Sequence, residues 1–424
     1  MKKTFLLVFC TLFSVINAQL KYDDYFTSKT LRFDYFRTGN NNNELLSFDE
    51  IFEEGDWYGS EINLIDDLGF GKYLLKVYDL KSNNLIFSKG YCTLFGEWQT
   101  TEEAKQTYKT FSESISFPMP KDSFIVQLFT RDKKNEFVKT FEYKSSPKSY
   151  FIKKKSKYNF NKFSIHESGN PKEKLDILFI AEGYTKGEAD QFKSDCKKFA
   201  DYLFTYEPFN ELKDKINIWG LESYSEESGT DIPADNIWKN TLANSTFYTF
   251  DSERYLMTYD YKSVCDIASG APHDQVVLIV NTEKYGGGGI YNYYLTVAGK
   301  NPKSDKIFVH EFGHALAGLG DEYYTSDVAY EGFYPLDVEP WEANLTTMVN
   351  FDSKWKNLIE SSTPVPTPNN QKFENVLGVF EGGGYISRGV YRPTFDSIMK
   401  TLSANYFNLP SKLAIKKVVE HFSK

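Results

Sequence analysis

The chain is poor in the side chains that most often build metal and redox chemistry. Of its 424 residues only five are histidine and four are cysteine. Cys10, Cys92, Cys196 and Cys265 lie in distant segments, and no C-x-x-C pair occurs. A cysteine-based zinc site is therefore excluded and a disulfide framework is not indicated, leaving room for one bridge at most. Positive charge is not in excess either. A net charge of −9 at pH 7 argues against nucleic acid or an anionic membrane as partner. No apolar run is long enough to form a transmembrane segment. The glycine run Gly286–Gly289 lacks the Lys-Ser/Thr of a phosphate loop, and the IYNYYLTVAG that follows reads as extended rather than helical.

What is present is a chain with sizeable cores. Apolar residues make up 41% and aromatic residues 17%, and the length predicts two domains. Residues 1–18 read as a secretory signal, with Lys2 and Lys3, an apolar run from Phe5 to Ile16, and Ala18 at the cleavage point. The mature protein is thus expected to be secreted, periplasmic or at the cell surface. Cys10 lacks the small residues before it that a lipidation site wants. Residues 19–150 carry short runs such as LRFDYFRTG, GKYLLKVYDL, NLIFSKGYC, FIVQLFTRD and FVKTFEYK, separated by Asn, Gly, Asp and Lys turns. That pattern predicts an all-β sandwich whose aromatics fill its core. A basic strip at 144–162 reads as the linker, and residues 151–424 as the second domain. There LDILFIAEGYT predicts a buried strand leading into a helix, with Thr185 as N-cap and Glu188 completing a capping box. The helix after it places Phe192, Cys196, Phe199 and Leu203 on one face, and INIWGLESY and QVVLIVNTE continue an α/β pattern. IYNYYLTVAG is expected to border the cleft and to pair with extended substrate by strand addition; an ordinary glycine-rich hairpin is the competing reading. The closing SKLAIKKVVEHF predicts an amphipathic helix packed through Leu413, Ile415, Val418, Val419 and Phe422. Asn344-Leu345-Thr346 is a glycosylation sequon if the cell glycosylates.

Because histidine is so scarce, its placement is informative. His310-Glu311-Phe312-Gly313-His314 forms an H-E-x-x-H motif, expected by chance on the order of 0.005 times in this chain. Ile307, Phe308, Val309, Phe312, Leu316 and Leu319 give its surroundings a helical apolar period. Residues four apart lie one turn apart on the same helix face, so His310 and His314 can bind one ion. Two imidazoles suit Zn²⁺, and Glu311 is placed to act as general base on a water beside it. A third ligand is required. Gly318 or Gly320 can end the helix and turn the chain, bringing Asp321 under the ion. Glu322 has the same chemistry, and Glu331, Glu339 and Glu342 are candidates for a ligand on a later element.

HEFGHALAGLGDEY, the upstream ILFIAEGYT and YGGGG, and the downstream GGGYISRGVYRPTFDSIM together resemble the IgA-peptidase family of secreted zinc metallopeptidases. The N-terminal DDYFTSKTLRFDYF, DWYGS and EWQTTEEA resemble that family's N-terminal domain, so the likeness runs through most of the chain. It implies an α+β protein of two domains, a β-sandwich followed by a metzincin/collagenase-like α/β catalytic domain. It also implies a zinc endopeptidase acting on protein or peptide substrates, with glycoproteins kept open; immunoglobulin A does not transfer as a substrate by resemblance. Met399 would be the methionine of the turn beneath the zinc. Ser397 stands where the family's turn commonly carries a cysteine. Tyr385, Tyr391 and Arg392 are candidates for stabilising the oxyanion. The reading of a different class is a secreted glycan- or protein-binding surface protein whose metal is structural or vestigial. An intact Glu311 weighs against it, because a structural site has no use for a base.

Overall fold

The structure is a computed structural model, and it describes residues 20–154, 158–324 and 334–423. The expected signal segment and the candidate ligand Glu331 lie outside the described residues.

An N-terminal β-rich region opens with one helical turn, α1 (Tyr22–Tyr25). Its strands are β1 (Phe26–Gly39), β2 (Glu44–Asp56), β3 (Tyr73–Asp79), β4 (Leu85–Tyr91), β5 (Lys109–Pro120), β6 (Phe124–Arg131), β7 (Phe137–Ser145) and β8 (Ile152–Lys154). They form two four-stranded sheets, ordered β5-β1-β2-β8 and β4-β3-β6-β7. Leu31, Phe33 and Tyr35 of β1 share one core with Leu75 and Val77 of β3 and Val126 and Leu128 of β6. Alternation along β3, buried at Tyr73, Leu75, Val77 and Asp79, is the period-two pattern of a sheet with one covered face. Between β4 and β5 the chain makes two short helices, α2 (Leu94–Trp98) and α3 (Glu102–Gln106).

The basic strip read as a linker is partly structured. Ile152–Lys154 pairs in parallel with β2, so the first part of the strip closes the edge of a sheet. Lys162–His166 (β9) then pairs with the next region, which is mixed α/β.

That region is built on a six-stranded sheet. Its other strands are β10 (Leu175–Glu182), β11 (Ile216–Leu221), β12 (Gln275–Val280), β13 (Gly287–Ile290) and β14 (Tyr294–Ala298), in the order β13-β14-β12-β10-β11-β9. Its long helices are α4 (Ala189–Leu203), α5 (Tyr261–Ala268), α6 (Ser304–Ala317) and α7 (Leu409–Phe422). A small hairpin, β15 (Phe380–Gly383) with β16 (Ile386–Arg392), lies between α6 and α7. Every residue of β10 is buried, because both faces of the sheet are covered. Ile177, Phe179 and Ala181 pack with residues of α4, α6 and α7. Leu178 and Ile180 face the other way, onto α5 and onto Leu94, Phe95 and Trp98 of α2. The N-terminal region thus supplies part of the layer covering the second face.

Thr185 and Glu188 form the expected capping box, and Phe192, Cys196, Phe199 and Leu203 are all buried on α4. Of the closing helix, Ile415, Val418 and Val419 are buried but Leu413 faces solvent. Cys92, Cys196 and Cys265 are free thiols.

Candidate metal centre

Helix α6 seats itself through Ile307, Phe308, Val309, Phe312, Ala315 and Leu316, all buried. That leaves His310, Glu311 and His314 on the side facing an open cleft of about 510 Å³. The two Nε2 atoms stand 3.1 Å apart. Each Nδ1 is directed at a backbone oxygen, His310 at Ile398 (2.9 Å) and His314 at Leu319 (2.5 Å). A neutral ring that donates from Nδ1 presents its lone pair at Nε2, so both rings are held in the tautomer a metal needs.

The helix ends at Gly318, whose φ of +57° is left-handed. A Cβ there would stand 2.4 Å from the Trp341 ring, a second reason for glycine. The turned chain is then clamped by Asn344. Gly320 N–H donates to Asn344 Oδ1 and Asn344 Nδ2 donates to the Gly320 carbonyl, both at 2.8 Å. Asp321 follows, with Oδ1 at 3.1 Å from His310 Nε2 and 3.3 Å from His314 Nε2. His310, His314 and Asp321 are the one group of metal-capable side chains that converges in this way among the described residues.

The donor set fits a divalent metal ion. Asp321 Oδ1 is buried without a hydrogen-bond donor, while Oδ2 accepts from Tyr385 Oη at 2.5 Å. An orphaned carboxylate oxygen facing two imidazole lone pairs is costly unless a cation joins them. Without metal, protons take that part. Burial opposes charging the imidazoles, but Asp321 overcomes it, raising His310 and pushing His314 up to about 10. The same attraction holds Asp321 well below the usual carboxylate range despite its burial.

The other carboxylates are occupied elsewhere. Glu322 is buried and accepts from Asn344 Nδ2, Asn408 Nδ2 and Ser397 Oγ, which orients it away from the histidines. Glu339 accepts from Asn350 N–H, and Glu342 from Tyr334 Oη. Beneath α6, Met399 is fully buried, and a Cβ on Gly313 would stand 2.9 Å from its sulfur. Its carbonyl accepts from Glu322 N–H and the neighbouring Ile398 carbonyl from His310, so this segment braces the helix from below.

Three readings of the sequence are corrected. IYNYYLTVAG does not offer a free edge: Tyr294–Ala298 is an interior strand between β12 and β13, and the glycine-rich hairpin, the competing reading, is what forms. The strand at the cleft is the glycine run itself. A Cβ on Gly289 would stand 2.2 Å from the Glu311 carbonyl, so only glycine lets β13 lie against the H-E-x-x-H turn. Of the oxyanion candidates, Arg392 is buried and donates to the carbonyls of Glu381, Gly382 and Phe395, and Tyr391 pairs with Thr346 outside the cleft. Tyr385 does line the cleft, but its hydroxyl is committed to Asp321. Finally, Asn344 is fully buried as the Gly320 clamp, so the folded protein cannot carry a glycan there. The sequon pattern concealed that role, since nothing local in N-L-T distinguishes a glycan acceptor from a backbone clamp.

Residues 163–376 and 369–419 match the family model described as IgA Peptidase M64, and residues 21–142 match the one described as Peptidase M64 N-terminus. The chain belongs to the IgA peptidase M64 family. M64 peptidases are metallopeptidases, which agrees with the one His/His/Asp cluster lying in the matched region. No curated protein matches this M64 chain. Its substrates, as for any peptidase, are proteins or peptides, and no described helix is long and apolar enough to cross a membrane.

Proposed function

We propose that this M64 peptidase is a secreted, zinc-dependent endopeptidase with a metzincin-like catalytic region. Three donors on one helix turn and the bend after it, with a carboxylic base between them on an open cleft, carry the reading. His310, His314 and Asp321 would hold the zinc. When bound, zinc supplies a Lewis acid that polarises the scissile carbonyl and lowers the pKa of water toward ~7.

The chain's own residues do the rest. Glu311, next to the first histidine and lining the cleft, accepts the proton of the attacking water and passes it to the leaving amine. Tyr385 keeps the Asp321 carboxylate oriented through its 2.5 Å hydrogen bond. The Ile398 and Leu319 carbonyls fix the two rings. Tyr323 and Arg254 line the cleft beside these groups and are the candidates for stabilising the oxyanion that the carbonyl becomes. A purely structural ion would use the three ligands and leave Glu311 idle in the cleft, which disfavours the binding-protein reading.

Replacing Glu311 by Gln tests the assignment. Zinc content should stay stoichiometric while kcat on a peptide library falls about 10²–10⁴-fold, the range of a lost general base. Near-normal turnover by that variant would remove Glu311 from the role.

A further inference from the structure

The cleft is not made by the α/β region alone. Glu97, Thr100 and Thr101, from α2 and the turn after it in the N-terminal region, line it together with His310 and Glu311. A second cavity of about 320 Å³ meets the first there; Glu97, Gly289, His314 and Asp321 line both. Among the described residues the two cavities therefore join beside His314 and Asp321, and Glu97 stands at the junction.

The surroundings of Glu97 are unusual for a carboxylate. One oxygen accepts from Tyr255 Oη. The other has no hydrogen-bond partner among the described residues, and no Lys or Arg there forms an ion pair with Glu97. Lys72, the nearby base on the same region, is spent on the Gly96 carbonyl and Gln99 Oε1. Burial pushes the Glu97 carboxyl above the usual range, against the Tyr255 hydrogen bond and the His314 field and with a smaller push from Glu311 and Asp321, so an unpaired charge here is costly. Aromatic walls stand beside it. The rings of Phe250 and Tyr255 lie 5.9 Å apart, and both residues line the cleft. Phe250 is held there by a loop in which Tyr248 (φ +59°), Phe250 (φ +54°) and Asp251 (φ +62°) are all left-handed. Non-glycine residues in that region are strained, and such strain persists where the surroundings enforce it.

We infer that Glu97 is a specificity-determining residue of the cleft, reading a lysine or arginine side chain of the substrate. The ammonium or guanidinium pairs with the open carboxylate oxygen, and the aliphatic stem lies against Phe250 and Tyr255. Because cavity space continues beyond Glu97 into the second cavity, the recognised cation is a side chain of an extended chain rather than a free amino terminus. The N-terminal region thereby selects substrate as well as covering the sheet.

This inference rests on the peptidase reading, and its test separates the two. The zinc-loaded full chain is first profiled on a positional peptide library prepared with both blocked and free amino termini. Enrichment of Lys or Arg at one subsite is expected; cleavage without basic enrichment at any position, or cleavage only of peptides with a free amino terminus, overturns the inference while leaving the peptidase reading intact. No cleavage of any peptide would count against the peptidase reading itself. The second arm compares a Lys peptide with its norleucine twin. In Glu97→Gln the ratio of their kcat/KM values should fall at least tenfold, mainly through KM, and Glu97→Asp should restore part of it. An unchanged ratio in a folded, zinc-loaded variant overturns the assignment, since a residue that merely tethers Tyr255 would alter both peptides alike.

Discussion

At the scale of single residues, the centre is legible because the chemistry needs a fixed spacing. His310, Glu311 and His314 follow from one helix turn, and Asp321 from the glycine bend after it. What the sequence conceals is the support. Nothing local marks Tyr385 as the partner of Asp321 or Asn344 as the clamp on Gly320, because both meet the site only through the folded chain. Tyr385→Phe should therefore weaken zinc binding about 10–100-fold without removing a ligand, measured by competition with a chelator. Protons and metal compete for the same atoms. His314 is raised to about 10 by Asp321, so in the metal-free protein its stabilising contribution is complete below about 6.5 and is lost as pH rises through about 10. Thermal unfolding of the metal-free protein should show a fall in stability across that window, and added zinc should flatten it. Zinc binding should also release protons near neutral pH, read by calorimetry in buffers of different ionisation heat.

At the scale of elements, glycine rather than side-chain chemistry sets how closely β13 approaches α6. Gly289→Ala would drive a methyl group against the Glu311 backbone. Overpacking of this kind costs typically ~1–3 kcal/mol, and here it also shifts the base. Both the melting temperature and kcat should drop, whereas a loss of neither would contradict the close packing. The strands that sequence patterning reveals are those that alternate simply, such as β3 and β6. Patterning misses β2 and β5. β2 is crowded with acidic residues, and β5 carries serines and prolines, so both look like loop. Their charges are inside and paired: Arg37 of β1 bonds Glu44 of β2 and Glu113 of β5, each at 2.9 Å. Buried ion pairs disguise a strand because period-two patterning counts every charge as exposed.

At the scale of the molecule, the two regions are bound into one working unit. Arg32 of β1 donates to Asp34, to Glu54 of β2 and, across the junction, to Asp266 of α5 at 2.9 Å. Arg32→Met should cost roughly 3–5 kcal/mol, the penalty for leaving buried carboxylates unpaired, and should loosen the cleft that α2 helps to wall. Denaturant unfolding measures the first effect and KM the second. The basic strip looks like a linker in sequence because residues on either side of 155–157 join the edges of two different sheets. The central claim is that His310, His314 and Asp321 hold one catalytic zinc. An anomalous-difference map at the zinc edge tests it most directly. The account predicts a single strong peak about 2.0–2.2 Å from both Nε2 atoms and one Asp321 oxygen. A zinc-saturated crystal with no peak there, or with the ion held by other side chains, would contradict it.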